Sequence, residues 1–296
     1  MKKEKAIRIN LPDGAEYRRV EVTDGGISII YAEEIANDTA KASKTVSKAL
    51  PKPTPLTGGT EVYQKEGLPY WYCRIKEGRD EFMHLYFRDL TYDDILYFVN
   101  GKKRKFVTEE QKEFSLDVIK ALENMPAEGF SWIPVYEPSK DIYGNLQYVS
   151  GANVFINGIN YNWVEDFKNY SPENGSRMAS ITTYFLLLLR FLKDGFATIE
   201  QLADDSKEIG HYFDSKNSKQ RFEKLEKTGE RQFGGLYGFA GNTRKIVSEF
   251  DIEHFSIVGG VYNRRGKDYP LAYVSHDIRP YHTIDNNCVG LLELTK

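Results

Sequence analysis

The stretch Gly234-Gly235-Leu236-Tyr237-Gly238-Phe239-Ala240-Gly241-Asn242-Thr243-Arg244-Lys245, continued by Ser256-Ile257-Val258-Gly259-Gly260-Val261-Tyr262, is where the reading of the fold begins. Glycine loses more conformational freedom on folding than any other residue, so a run of them marks places where φ is positive or another chain passes close by. Leu236, Tyr237 and Phe239 are bulky anchors set between those turns. The pattern predicts a frame of tight turns, with Gly235, Tyr237, Gly241, Asn242, Gly259 and Gly260 as its structural residues. Short strands are expected near Ile246, Ile257, Tyr273 and Leu291.

Immediately upstream the periodicity changes from turns to helices. Ser171-Pro172-Glu173-Asn174-Gly175 leads to Ser176, an expected N-cap, and the segment to Leu192 is almost wholly apolar after Met178. A helix apolar on most faces is a buried one. Lys193-Asp194-Gly195 is its stop signal. Thr198-Ile199-Glu200-Gln201 is a capping box opening a second helix to about Ile209, ended by Gly210. Ser215 to Arg231 is charged and reads as an exposed excursion.

Further upstream, Tyr70–Lys76 and Glu81–Arg88 are aromatic-rich strands joined through Glu77-Gly78-Arg79-Asp80. Thr91 caps a short helix through Phe98, and Thr108-Glu109-Glu110-Gln111 opens another to about Asn124. Met125 to Asn160 is extended and broken by Pro and Gly, with Asn153–Ile159 alternating as a strand. At the other end, Lys5–Leu11, Tyr17–Val22 and Ile27–Tyr31 read as strands around Pro12-Asp13-Gly14 and Asp24-Gly25-Gly26. Ile35, Thr39, Ala42, Val46 and Ala49 form a heptad seam about two repeats long. It reads either as a short oligomeric stalk or as a surface helix. Pro51-Lys52-Pro53-Thr54-Pro55 gives a stiff spacer and Thr57-Gly58-Gly59-Thr60 a flexible one. The expected division is an N-terminal β attachment element (1–31), a helical stalk and Pro/Gly linker (32–60), an α/β segment that can open the next domain (61–125), and a C-terminal domain (126–296). The fold class expected is α+β.

Composition narrows the function. The chain has 296 residues, ample for a large core, and a net charge of −3, which provides no basic footprint for nucleic acid. Aromatics make up 14%, chiefly Tyr and Phe. Cys73 and Cys288 stand far apart with no Cys-x-x-Cys, so neither a disulfide framework nor a metal site is expected. The basic start lacks the apolar core of a signal peptide, and the most apolar run, Tyr184–Leu192, is too short to span a bilayer. Synthesis in a host cytoplasm, with no exit by the usual secretory route and no membrane insertion, is the expectation.

Two motifs make the last half resemble the formylglycine-generating-enzyme-like, or sulfatase-modifying-factor, branch of the C-type lectin fold. Phe196-Ala197-Thr198-Ile199-Glu200-Gln201-Leu202 is similar to that family's helix start, and Gly235-Leu236-Tyr237-Gly238-Phe239-Ala240-Gly241-Asn242 to its glycine motif. Val258-Gly259-Gly260-Val261-Tyr262 and Val289-Gly290-Leu291 follow in the family's order. The resemblance runs from about Tyr148 to the C-terminus. It implies a C-type-lectin-like domain, and it argues against the family's copper-dependent oxidase activity. That chemistry needs a thiolate pair, because soft thiolates select Cu(I), and Asn263–Asn287 holds no cysteine. Cys288 reads as a small core residue. Lys245 stands where the family has a glutamate that helps hold calcium, and an ammonium cannot be a metal ligand. No Glu-Pro-Asn or Gln-Pro-Asp triplet of the calcium-dependent lectins is present.

Non-catalytic relatives of this fold, phage receptor-binding proteins and retroelement-diversified variable proteins among them, display side chains from the last strands. The matching candidates here are Tyr262, Asn263, Arg264, Tyr269, Tyr273, His276, Arg279, Tyr281 and His282, with Asp277, Asn286 and Asn287 beside them. Tyr, Arg, Asn and His are types that recur in paratopes and hot spots. From Phe255 to Cys288 there is one Lys and no Glu, Gln, Met or Trp, the set reachable by mutating adenines in Asn codons. His276 and His282, six apart, match no helical ligand pair; His84, His211 and His254 are isolated and read as satisfying local hydrogen bonds. No catalytic residue, metal or cofactor is assigned. The functional expectation is a non-enzymatic bacteriophage virion protein, of fibre or decoration type and trimeric. Its partners would be other virion proteins through the N-terminal region and a cell-surface glycan or protein ligand. The alternatives are a formylglycine-generating-type oxidase and a purely structural assembly subunit.

Overall fold

In the computed structural model the described residues are 17–23, 26–31, 50–90, 124–156, 162–213, 225–249, 254–278 and 288–296. The chain divides into two compact units, Met1–Ala49 and Leu50–Lys296. In the first, β1 (Tyr17–Thr23) and β2 (Gly26–Tyr31) pair antiparallel, from Thr23 opposite Gly26 to Tyr17 opposite Tyr31. The expected strand Lys5–Leu11, the heptad seam through Ala49, both helices between Thr91 and Asn124, and residues 214–224 of the charged excursion lie outside the described residues.

The second unit begins at Leu50 and so includes the Pro51–Pro55 and Thr57–Thr60 stretch. That stretch is tied down, where the sequence reads as a spacer. Leu50 and Leu56 are buried, the Trp71 indole N–H donates to the Leu50 carbonyl (3.0 Å), and Asn174 exchanges hydrogen bonds with the Thr57 backbone (2.7 and 3.1 Å).

One antiparallel sheet runs in the order β3 (Tyr63–Gln64), β4 (Trp71–Ile75), β5 (Asp80–Tyr86) and β6 (Phe130–Pro134). Six of the seven residues of β5 are buried. The cause is that both faces of the sheet are covered: Cys73, Phe82 and Trp132 belong to one apolar cluster, while Tyr72, Met83 and Ile133 belong to another. Strands buried on both faces lose the apolar–polar alternation that marks a half-exposed strand. A short hairpin follows, β7 (Ser139–Lys140) with β8 (Leu146–Gln147). Asn153–Ile156, expected in a strand, is not in one; Phe155 N–H donates to the Pro138 carbonyl instead (2.7 Å).

Helix α1 (Trp163–Tyr170) has no counterpart in the sequence reading. Asn162 caps it through Glu165 N–H, and Trp163, Phe167 and Tyr170 form its single buried stripe. A 3₁₀ turn (Pro172–Asn174) and β9 (Arg177–Met178) follow, so the long helix starts later than expected. Ser180, not Ser176, is the N-cap of α2 (Ile181–Lys193), accepting from Thr183 N–H. Eleven of the thirteen α2 residues are buried, and Asp194-Gly195 ends it with Gly195 at φ 77°. The capping box at Thr198 opens α3, but α3 (Ile199–Ala203) stops well before Ile209. Ser206 draws the chain away: its hydroxyl donates to the Gln201 carbonyl (2.6 Å) and accepts from Leu271 N–H (2.7 Å).

The glycine-rich stretch holds β10 (Gln232–Phe233) and β11 (Leu236–Tyr237), which pair, and then β12 (Arg244–Ser248). Strands β13 (Phe255–Val258) and β14 (Val274–Ile278) add antiparallel on one side of β12, and β15 (Cys288–Gly290) parallel on the other. Here too neighbours alternate between the two apolar clusters, Ile246 and Ile257 in one and Val247 and Val258 in the other. The final strand, β16 (Leu292–Glu293), pairs with β9, while Leu294 exchanges backbone bonds with Trp132 of β6 (2.9 and 3.0 Å). Buried Glu293 accepts from Ser131 (3.1 Å), Arg177 (2.6 Å) and Thr183 (2.6 Å). The described residues of the second unit are thus mixed α+β, with few helices and several small sheets. Among the described residues no helix is long and apolar enough to cross a membrane.

Candidate ligand-binding face

Two of the motif glycines are required by contact. Gly238 has φ 66°, and a Cβ there would lie 2.1 Å from the Glu137 carboxylate; Gly241 has φ 81°, and its Cβ would lie 2.6 Å from the His211 carbonyl. What crowds Gly238 is a buried ion pair. Lys245, reaching in from β12, donates to Glu137 Oε1 (2.7 Å), the Gly238 carbonyl (3.1 Å), the Thr243 carbonyl (2.8 Å) and Thr243 Oγ1 (2.7 Å). Thr243 in turn donates to Glu137 Oε1, and Asn242 Nδ2 donates to Glu137 Oε2 (2.6 Å) while its Oδ1 accepts from Glu226 N–H (3.0 Å). Burial pushes the Lys245 ammonium below the ordinary lysine value, and Glu137 opposes that shift. A charge taken out of water is tolerable only when paired and fully hydrogen-bonded, and this one is surrounded by four oxygens. The cavity beside it measures about 20 Å³, enough for about one water and too small for a substrate. This knot fixes the turns; it presents nothing to a ligand.

The surface lies on the neighbouring segment. Arg244, the residue before Lys245 on β12, places its guanidinium 4.4 Å from the centroid of the Tyr269 ring and 5.9 Å from that of Tyr273. The two rings meet edge-to-face at 4.9 Å, and Arg264 approaches Tyr269 at 5.8 Å. Arg264 and Asn263 are exposed, while Tyr262, Tyr269 and Tyr273 are half-buried. Half-buried tyrosines clamped by guanidinium planes are rigid before any partner arrives, which lowers the ordering cost of binding. Tyr262 departs from the group to stack on His211 (6.3 Å, 13° between planes), and His211 Nδ1 lies 3.2 Å from Glu226 Oε1.

No family model, curated protein or solved structure matches this chain.

Of the residues predicted for the face, the structure joins Arg264, Tyr269 and Tyr273, with Asn263 alongside in the same loop. His276 and Asp277 fall on β14. Arg279, Tyr281, His282, Asn286 and Asn287 lie outside the described residues. Arg244 and Glu137 were missed. Arg244 has a usable signal in hindsight, an Arg on a strand in a chain with Tyr at i and i+4 positions downstream; Glu137 has none. His211, isolated in the sequence, contacts Tyr262 and Glu226. His84 was read as hydrogen-bonded and is not: its Nδ1 finds no partner among the described residues, and its ring packs against Phe130 (4.9 Å) and Trp132 (4.8 Å). Burial alone holds that imidazole down to about 4. Cys73 and Cys288 are both buried, and neither forms a disulfide among the described residues. Among the described residues no group of three or more His, Cys, Asp or Glu is placed to hold a metal.

Proposed function

We propose that the unit from Leu50 to Lys296 is a non-enzymatic ligand-binding domain of the C-type-lectin-like, formylglycine-generating-enzyme-like kind, carried by a bacteriophage virion protein of fibre or decoration type. The observation that carries the binding reading is the preassembled cluster of Arg244, Arg264, Tyr269 and Tyr273. Aromatic and arginine anchors of this kind dominate the energetics of protein recognition. The order of a buried helix, a capped short helix, a glycine frame and a closing four-stranded sheet supports the fold reading. The use of Lys245 to neutralise Glu137, where the resembled family keeps an acidic metal ligand, supports the non-enzymatic one. Virion residence rests on the sequence layout of a β element and a heptad seam ahead of the domain.

Fluorescently labelled protein titrated onto cells of candidate hosts tests the face directly. Tyr269→Ala with Tyr273→Ala is expected to weaken adhesion by about a hundredfold, the loss of two anchors of ~1.4 kcal/mol each. Equal adhesion of both proteins overturns the assignment of the face. Copper-dependent oxygen consumption with a Cys-containing peptide overturns the non-enzymatic reading. Capsid and portal genes beside the coding sequence are the expected neighbours; a sulfatase gene there counts against the virion.

A further inference from the structure

A second concave feature lies away from the ring cluster, between the β4–β5 turn, the β7–β8 hairpin and α1. It is a cleft of about 370 Å³, within the range of small-ligand sites. Its lining is unlike an ordinary apolar pocket. Asp141 and Asp166 present carboxylates, and Asn145, Gln147 and Asn169 present amides. Asp80, buried in the wall, is held rigid by Tyr148 N–H (3.0 Å) and by the Tyr170 hydroxyl. The cations Lys76 and Arg79 also line the cleft, but Lys76 is engaged: its ammonium sits 3.5 Å over the Tyr170 ring and 3.9 Å from Asp80.

Exposed apolar side chains stand beside the cleft in the hairpin turn. Among the described residues three large hydrophobic side chains are exposed, Ile142 (90%), Tyr143 (82%) and Val164 (46%). Ile142 and Tyr143 stand in the hairpin turn between the lining residues Asp141 and Gly144, whereas Val164 falls on the flank of α1 away from Asp166 and Asn169. The turn is rigid, since Asp141 accepts from Tyr143 N–H (2.9 Å), Asn145 N–H (2.8 Å) and the Asn145 amide (3.1 Å). Tyr143 is therefore displayed on a fixed support.

From this juxtaposition we infer that the cleft is a saccharide-binding site. Sugar hydroxyls both donate and accept, which suits a wall of carboxylates and amides. The C–H face of a pyranose needs an exposed ring to cover it, and Tyr143, in the turn beside the lining residues Asp141 and Gly144, is the ring within reach of the cleft's rim. Three carboxylates set against two cations leave the cleft close to neutral, which disfavours polyanions and polycations and suits an uncharged polyhydroxyl ligand. No metal ion is required for this recognition, since the polar side chains act directly. The site is separate from the Arg244–Tyr269 cluster and does not depend on that cluster's role.

The test is binding of the labelled full chain to a printed array of bacterial and animal glycans, followed by saturation-transfer NMR titration of the best-retained oligosaccharide. Expected are retention in the presence of EDTA, saturation of ring C–H protons, and a dissociation constant weakened about tenfold in Tyr143→Ala and in Asn169→Ala. Both residues are exposed, so the variants are expected to keep the wild-type melting temperature. No retention of any glycan overturns the proposal. So does equal affinity in wild type, Tyr143→Ala and Asn169→Ala, and so does binding that EDTA abolishes.

Discussion

Lys245 and Arg244 are neighbours on one strand, carry the same charge, and end in different surroundings. The Lys245 ammonium is enclosed by four oxygens, one of them the Glu137 carboxylate. The Arg244 guanidinium lies against the rings of Tyr269 and Tyr273. The difference follows from the chemistry of the two groups. A compact ammonium can be satisfied on all sides by carbonyls and a carboxylate, whereas a planar guanidinium stacks. One cation holds the frame of turns, and the other stiffens a surface.

If that contrast is right, the largest effect on stability belongs to the enclosed pair. Glu137→Ala leaves Lys245 charged, buried and deprived of its carboxylate, and is expected to cost about 3–5 kcal/mol. Urea unfolding followed by circular dichroism measures it. Replacing both partners, Glu137→Gln with Lys245→Met, is expected to restore most of the loss, because the penalty lies in the uncompensated charge. A double variant as unstable as Glu137→Ala would show that packing, not charge, makes the knot matter.

Acid exposes a second buried group on the frame side of the comparison. His84 is held down to about 4, from an ordinary value near 6.5. As pH falls the unfolded chain takes up the proton first, so stability present above 6.5 drains away between 6.5 and 4, by roughly 3 kcal/mol in all. In His84→Phe the ring contacts with Phe130 and Trp132 remain possible and this part of the acid sensitivity is expected to vanish. Thermal unfolding of both proteins at pH 7 and pH 4.5 checks the sign.

The smallest stability effect belongs to the surface. Tyr269→Ala and Tyr273→Ala are expected to cost only ~1 kcal/mol each, the worth of an edge-to-face pair and its cation contact. Their effect on adhesion is expected to be far larger than their effect on melting temperature. A loss of stability matching that of Glu137→Ala would move these rings from the binding face to the frame.

The sequence carried β4, β5, α2 and the strands at Ile246 and Ile257 because each is signalled within a few residues by apolar runs, caps and glycine stops. It misplaced the start of α2 for a physical reason. Ser176 and Ser180 satisfy the same capping rule, and the choice between them is made by the pairing of Arg177 and Met178 with β16, more than a hundred residues away. α3 ends early because Ser206 bonds to Leu271, again a distant partner. The site divides in the same way. Arg264, Tyr269 and Tyr273 lie close in sequence and were legible as a cluster. Glu137 finds Lys245 across 108 positions, and no local pattern announces such a pair.

The Glu293 junction bears on how this domain is made. Its three partners, Ser131, Thr183 and Arg177, lie between 110 and 162 positions earlier in the chain. During synthesis the apolar α2 segment therefore emerges long before the strand that closes over it. Contacts of such separation slow folding and leave apolar surface uncovered meanwhile. A chain truncated before Leu292 is therefore expected to leave Ser131, Arg177 and Thr183 without their shared carboxylate and the adjoining apolar surface uncovered.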